Sequence, residues 1–156
     1  MGEEGERAEA MTTCTRKLHW CAGHRVMGHE GKCAMMHGHE YMAELTVRAA
    51  SLDELGRVID FGVLKSLMQA WVDEHLDHGF MLNSIDTAAQ SALHSFEQLS
   101  GINQRLYLMD ANPTAENIAR ELHSIASRLL QPHSIEVVSV VVHETPNCYA
   151  TYQRGM

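Results

Sequence analysis

The segment HGHEYMAELTVRAA, residues 37–50, alternates apolar and polar side chains from Tyr41 onwards. A period of two is typical of a half-buried antiparallel strand, here with Tyr41 on the core side. His37 and His39 share the parity of Tyr41, so their imidazoles lie on one face, and Gly38 leaves room between them. The sequence therefore predicts a strand that carries two histidines side by side on the face backed by the core.

Two neighbouring imidazoles form half of a metal site. His24, upstream of the pair, can supply a third imidazole from an adjacent strand, and three histidines without an obvious fourth ligand are typical of a catalytic zinc with an open position. Cys33 lies shortly before His37, and it either closes the site as a fourth ligand or stays beside it as an acid or base. The chain contains 11 histidines, so a His-x-His pair alone is a weak signal and the rest of the chain has to support it.

Length and composition limit the classes of protein to which this chain can belong. With 156 residues the chain is expected to form one domain, residues 12–156, after an acidic and disordered tail at residues 1–11. The net charge of -8 argues against general nucleic-acid binding. The sequence has neither an apolar run long enough to span a membrane nor a secretory signal, and we expect a cytoplasmic protein whose four cysteines are reduced thiols.

The remaining pattern predicts an α+β protein in which an antiparallel sheet packs against a helical layer. Asp60 is the expected N-cap of the first helix, which starts from Gly62 and stops at Gly79. Asn112 is the expected N-cap of the second helix, with Pro113 at its first helical position. The expected strands are 12–22, 39–50, 57–59, 134–145 and 148–152, whereas 83–111 shows only a weak helical period, a break at 100–101 and a short strand or extended loop at 105–109.

Six short motifs occur in a fixed order along the chain. They are CAGH (21–24), CAMMHGH (33–39), VIDFGVLK (58–65), LDH (76–78), NPTAEN (112–117) and HET (143–145). Together they resemble the 6-pyruvoyl-tetrahydropterin synthase and 6-carboxy-tetrahydropterin synthase family, the pterin enzymes of the tunnelling fold. The resemblance runs from near residue 13 to residue 152.

This resemblance implies a four-stranded antiparallel sheet with two helices on one face, in the order strand, strand, helix, helix, strand, strand. It also implies a homohexamer of two stacked trimers with active sites between subunits. Against the family pattern, 83–111 is an insertion.

The short spacing between Cys33 and His37 looks like the bacterial 6-carboxy branch, which feeds queuosine and deazaguanine synthesis. Relatives that act on dihydroneopterin for folate synthesis carry Glu where this chain has Cys33. The implied reaction converts 7,8-dihydroneopterin triphosphate to 6-carboxy-5,6,7,8-tetrahydropterin, with release of acetaldehyde and triphosphate.

The resemblance also assigns roles to residues. It implies Zn²⁺ as the cofactor, a general acid or base thiol, a second acid/base pair in which a carboxylate orients an imidazole, and a carboxylate that anchors the pterin ring. The residues are His24, His37 and His39 for the metal, Cys33, Asp77 and His78 for catalysis, and Glu144, Thr114 and Glu116 for substrate binding. Arg25 and Lys32 are further candidates for contact with the triphosphate.

Several alternatives stay open on the sequence. Thr114 and Glu116 at a helix start also fit simple capping and pairing with the helix dipole, and Asp77-His78 at a helix end fits capping and solvation. A 6-pyruvoyl-tetrahydropterin synthase, which releases triphosphate only, has the same ligand set. The third alternative is a non-catalytic, zinc-stabilised pterin-binding module.

Overall fold

The computed structural model describes residues 10–155. Its helices are α1 (Phe61–Leu64), α2 (Ala70–His75), α3 (Thr87–Ser100) and α4 (Ala115–Leu130), and the π-helical segment Lys65–Gln69 joins α1 to α2. Its strands are β1 (Thr13–His24), β2 (His37–Arg48), β3 (Gly79–Asn83), β4 (Leu106–Met109), β5 (Glu136–Thr145) and β6 (Cys148–Gln153). Apart from Ala10 and Met11, the predicted acidic tail lies outside the described residues. Within 10–155, no helix is both long and apolar enough to cross a membrane.

The strands form one six-stranded mixed sheet in the order β4-β3-β1-β2-β5-β6. The predicted antiparallel arrangement is present in β1, β2, β5 and β6, but the prediction of only four strands and two helices is wrong. β3 and β4 extend the sheet in parallel, with β3 pairing to the last residues of β1. A five-residue strand directly after a helix has too little periodicity to be recognised, so β3 left no clear signal in the sequence.

The long hairpin of β1 and β2 positions the histidines. Its register places His24 opposite His37, Gly23 opposite Gly38, and Ala22 opposite His39. Because side chains two apart share a face, His24, His37 and His39 all point to the same side of the sheet. Residues 25–36, which include Cys33, form the connection between the two strands.

Helices α1, α2 and α4 pack on that same face, as the amphipathic patterns predicted. Leu64, Met68 and Val72 from the first helical run and Ile118 and Leu122 from α4 belong to one core with the inward side chains of β1, β2 and β5. Each fully buried Leu, Ile or Met contributes about 1.5–3 kcal/mol through removal from water. The core therefore fixes which face of β1 and β2 is turned inwards.

The ends of the first helix partly match the prediction. Asp60 is its N-cap, since its carboxylate accepts a hydrogen bond from the Gly62 backbone N–H. Arg57 to Ile59 do not return to the sheet, because Arg57 is held in a turn by hydrogen bonds to Asp53. The left-handed residue after the helix is His78, at φ 55°, and not Gly79, which begins β3.

The start of α4 also differs from the prediction. Thr114, not Asn112, is the N-cap, and its hydroxyl accepts from the Asn117 backbone N–H at 3.3 Å. The Asn112 side chain instead bridges the chain at Met27, accepting from its N–H and donating to its carbonyl. Pro113 consequently lies before the helix.

The segment at 83–111 contains the helix and the strand that its weak pattern indicated. Gly101 ends α3 in the left-handed conformation at φ 72°, and β4 then pairs with β3. Among the residues of α3, all of which the structure describes, only Ala89 is buried. This helix therefore lies at the periphery and adds little to the core.

The packing of α4 generates a stability prediction. Leu122 is 2% exposed, so Leu122→Ala should lower the free energy of unfolding by about 3 kcal/mol through lost burial and a residual cavity. Leu99 on α3 is 89% exposed, and Leu99→Ala should change it by less than about 0.5 kcal/mol. Urea unfolding followed by circular dichroism measures both variants, and equal effects would contradict the assignment of the core.

Candidate active site

The three histidines predicted as metal ligands converge at the end of the β1–β2 hairpin. One ring nitrogen of each lies within 4.8 Å of the ring nitrogens of the other two. His24 is buried, while His37 and His39 are half-buried. The ring centroids are 4.5–5.1 Å apart, with the rings steeply inclined to one another.

Hydrogen bonds set which nitrogen of His24 and of His37 faces the centre of the cluster. His24 Nδ1 donates to the Pro113 carbonyl at 2.8 Å, and His37 Nδ1 donates to the Met35 carbonyl at 2.6 Å. In the neutral tautomer that these bonds select, both Nε2 atoms carry lone pairs. These two Nε2 atoms lie only 3.0 Å apart, so their lone pairs oppose each other unless a proton or a cation lies between them.

The surroundings of His39, the third ring, also indicate a metal site. Within residues 10–155, His39 Nε2 is a buried polar atom without a hydrogen-bond partner, and Glu144 Oε1 lies 3.4 Å from it. Burial lowers the pKa of His24 and of His39, which favours the neutral, metal-binding form. A divalent metal ion fits this donor set, because one ring nitrogen of each histidine is close enough to the other two for a single ion to bind all three.

Cys33 is not a member of the ligand group. Among the described residues, the group that meets the mutual distance of 4.8 Å consists of the three histidines alone. The half-buried Cys33 instead lies in the 3₁₀ turn Lys32–Ala34 and lines a cavity of about 250 Å³ that His24 also lines. This geometry favours an open metal site with a thiol beside it over a site that the thiol closes.

The three predicted substrate-binding residues line the same cavity. Glu144 lies near the end of β5, and Thr114 and Glu116 lie at the start of α4. Thr114 caps α4 and also faces the cavity, so its capping and cavity-lining roles coexist.

Burial, and secondarily the charge of Glu144, raises the pKa of Tyr41 behind the histidines. The Tyr41 hydroxyl therefore stays protonated.

Arg25, a candidate for triphosphate contact, is engaged within the chain. Its guanidinium forms a bidentate pair with Asp86, with Nη2 2.9 Å from Oδ1 and Nε bonded to Oδ2. A third bond runs from Nη1 to the Ala34 carbonyl at 3.2 Å. Lys32 is exposed on the loop beside Cys33, and its ammonium is the freer of the two cations.

Asp77 and His78 form the predicted pair, but they do not line the cavity that Cys33 and Glu144 line. His78 Nδ1 donates to Asp77 Oδ2 at 2.8 Å, and Asp77 Oδ1 accepts from the Cys21 backbone N–H at 3.0 Å. Burial raises the pKa of Asp77, but these hydrogen bonds outweigh it and hold the pKa below its usual value. The Asp77 carboxylate is thus ionised and orients an imidazole that is 82% exposed.

His78 faces a separate and more open cleft, which Cys21, Gly23 and Gly38 also line. By strand parity these three residues lie on the opposite face of the sheet from the three histidines, but His39 also lines this cleft. Within one chain, the structure therefore brings Cys33, Glu144, Thr114 and Glu116 together with His24 but leaves the Asp77-His78 pair outside their cavity.

Sequence reasoning missed some residues of the cavity. His29, Cys148 and Tyr149 also line it. The β5–β6 hairpin pairs Cys148 with Thr145, so the expected hairpin after Glu144 contained the signal for Cys148. His29 lies in an irregular loop and had no such signal.

The arrangement suits acid–base chemistry on a bound polar ligand. A metal in an open three-histidine site polarises ligand oxygens, and a thiol beside it can take or return a proton. The carboxylate of Glu144 can accept two parallel hydrogen bonds from a planar N–H-bearing ring.

Comparisons with known proteins identify the family of this chain. The family model described as 6-pyruvoyl tetrahydropterin synthase matches residues 13–155. The 6-carboxy-5,6,7,8-tetrahydropterin synthase of Rickettsia bellii is 41% identical over 140 residues, covering 89% of this chain and 98% of the relative. A probable 6-carboxy-5,6,7,8-tetrahydropterin synthase of Halobacterium salinarum is 30% identical over 155 residues, covering 92% and 93% of the two chains.

Solved structures share the fold. An uncharacterized protein from Wolinella succinogenes superposes with a TM-score of 0.80 at 23% identity, covering 94% of this chain and all of that chain. The 6-pyruvoyl tetrahydropterin synthase of Caenorhabditis elegans gives a TM-score of 0.65 at 22% identity, covering 94% and 97%. With a family model that matches nearly the whole described chain and a relative of 41% identity, this chain belongs to the 6-pyruvoyl tetrahydropterin synthase family.

Proposed function

We propose that this protein is a zinc-dependent lyase that converts 7,8-dihydroneopterin triphosphate to 6-carboxy-5,6,7,8-tetrahydropterin, releasing acetaldehyde and triphosphate. The observation that carries the proposal is the pairing of an open three-histidine cluster with a separate thiol, Cys33, beside one cavity. The 6-carboxy name of the relative at 41% identity supports this choice of product. The reaction belongs to queuosine and deazaguanine synthesis, and we expect the enzyme in the cytoplasm.

His24, His37 and His39 would hold the zinc ion. When bound, the ion would supply Lewis-acid polarisation of the side-chain oxygens of the substrate. The carbonyls of Pro113 and Met35 fix the ring orientations of His24 and His37 before any ion binds, which limits the entropy lost on binding.

Glu144 would anchor the pterin ring, whose amino group and adjacent N–H present two parallel donors to a carboxylate. Thr114 and Glu116 line the same cavity at the start of α4 and would bind the substrate there. Cys33 would then act as the general base or acid that moves protons along the hydroxylated side chain of the substrate.

The Asp77-His78 pair would complete the site of a neighbouring copy. It is orientated for acid–base work but faces a different cleft in its own chain. An assembly with active sites between subunits, which we propose to be a homohexamer of two stacked trimers, resolves this separation.

Product analysis tests the reaction itself. Incubation of the zinc-loaded protein with 7,8-dihydroneopterin triphosphate should yield equal amounts of acetaldehyde and 6-carboxy-tetrahydropterin, measured by derivatisation and liquid chromatography. Cys33→Ala should lower kcat by about 100-fold or more, the usual size of a lost acid or base. Triphosphate release without acetaldehyde would favour the 6-pyruvoyl alternative, and full turnover by Cys33→Ala would refute the role of the thiol.

Metal binding gives a second prediction. The wild type should bind one zinc ion per chain, and His39→Ala should weaken zinc binding by more than about 100-fold. Loss of a residue that only hydrogen-bonds to a metal ligand weakens binding by at most about 100-fold, so a larger loss identifies His39 as a ligand. His94→Ala on the exposed face of α3 is the control and should bind as the wild type does. Competition with a chromogenic chelator measures the affinities; equal zinc affinity in His39→Ala and wild type would remove His39 from the ligand set.

Subunit mixing tests the shared site. Cys33→Ala and His78→Ala should each be nearly inactive, whereas hexamers that contain both in equal amounts should recover about a quarter of wild-type activity, because random assembly leaves that share of sites intact. Mixing Cys33→Ala with the double variant Cys33→Ala/His78→Ala is the control and should recover nothing. A lack of recovery in verified mixed hexamers would mean that both residues act within one chain.

A further inference from the structure

The segment 83–111 contacts the loop that carries Cys33 through an ion pair whose carboxylate is buried. Asp86 is 2% exposed and lies just before α3, where its carboxylate also caps the helix by accepting from the Ala89 N–H at 3.2 Å. Arg25 is the first residue after β1 and therefore the first of the loop 25–36. The pair thus joins the N-terminus of α3 to the start of the Cys33 loop.

The same guanidinium also reaches the far side of that loop. Arg25 Nη1 donates to the carbonyl of Ala34, the residue after Cys33, and the Val26 N–H donates to the carbonyl of Cys33 itself at 2.8 Å. Two consecutive carbonyls around the thiol are therefore held by residues 25 and 26. Asp86 fixes the guanidinium from the other side, since both of its carboxylate oxygens accept from it.

We propose that Asp86 and Arg25 are positioning residues for Cys33, and that the segment 83–111 contributes to catalysis by fixing where the thiol lies in the cavity. This inference rests on the proposed role of Cys33 as an acid or base. A charge buried as deeply as that of Asp86 is retained at low cost only when it is fully paired, and this pair is bidentate. A group that transfers a proton loses rate steeply when it is displaced by about 1 Å, so loosening the pair should slow turnover without removing any group that touches the substrate.

Asp86→Asn separates this role from helix capping, because Asn caps a helix about as well as Asp but removes the negative charge. We expect kcat to fall about tenfold, with KM and zinc content within twofold of wild type, because the histidines and Glu144 are untouched. Arg25→Lys keeps the positive charge but cannot reach Asp86 and Ala34 together, so its kcat should also fall, by at least threefold.

Glu136→Gln is the matched control. Glu136 forms the same bidentate pattern with Arg48, at 2.7 and 3.0 Å, but on an exposed part of the sheet, where its side chain is 62% exposed. Its kcat and KM should match those of the wild type.

The alkylation rate of Cys33 is a second measurement, and it does not depend on turnover. The rate at which iodoacetamide alkylates Cys33, followed by mass spectrometry of its peptide in the zinc-loaded protein, should change at least threefold in Asp86→Asn and Arg25→Lys but not in Glu136→Gln. If Asp86→Asn and Arg25→Lys both keep the kcat and the alkylation rate of the wild type, the inference is wrong. It is also wrong if kcat falls only in proportion to a loss of bound zinc. If the wild type releases no acetaldehyde, the proposed reaction fails, and the alkylation rates still decide whether the ion pair positions the thiol.

Discussion

The pairing register of β1 and β2 is the constraint on which the site depends. It sets His24 directly opposite His37, and the alternation of the strand adds His39 on the same face. Because side chains alternate with a period of two, a slip of one residue in either strand would turn its histidines to the opposite face and dismantle the cluster. The opposed lone pairs of His24 and His37, 3.0 Å apart, exist only in this register.

Hydrophobic burial holds the register in place. The face that carries the histidines is also the face that Trp20 and Tyr41 turn towards α1, α2 and α4, with their rings stacked at 5.1 Å. A register slip would therefore expose these side chains and cost several kcal/mol of burial. The apolar core beneath the three rings thus holds their nitrogens at the mutual distances at which one metal ion could bind all of them.

The sequence predicts those features of the site that depend on a regular spacing of nearby residues. The shared face of His37 and His39 followed from alternation alone, and the hairpin at the chain end followed from β-branched residues. The short parallel strand β3 and the pair between Arg25 and Asp86 depend on contacts between distant segments, which leave no periodic trace. The sequence predicts Asn112 as the N-cap of α4, since it does not reveal that the Asn112 side chain binds the Met27 backbone instead.

The segment 83–111 supports both candidate catalytic residues that lie outside the strands, Cys33 and His78. A side chain on a strand is held by the ladder of hydrogen bonds, but a thiol in a loop and an imidazole in a turn lack that support. Asp86 braces the loop of Cys33 through Arg25, while Gln104 donates to the His78 carbonyl and Arg105 to the Asp77 carbonyl. The His78 backbone has a positive φ of 55°, which costs free energy and persists only where such contacts determine it. Within α3 only Ala89 is buried, whereas the N-cap carboxylate of Asp86 is buried and bonded to Arg25, so the contact of this helix with the loop 25–36 lies at its N-terminus.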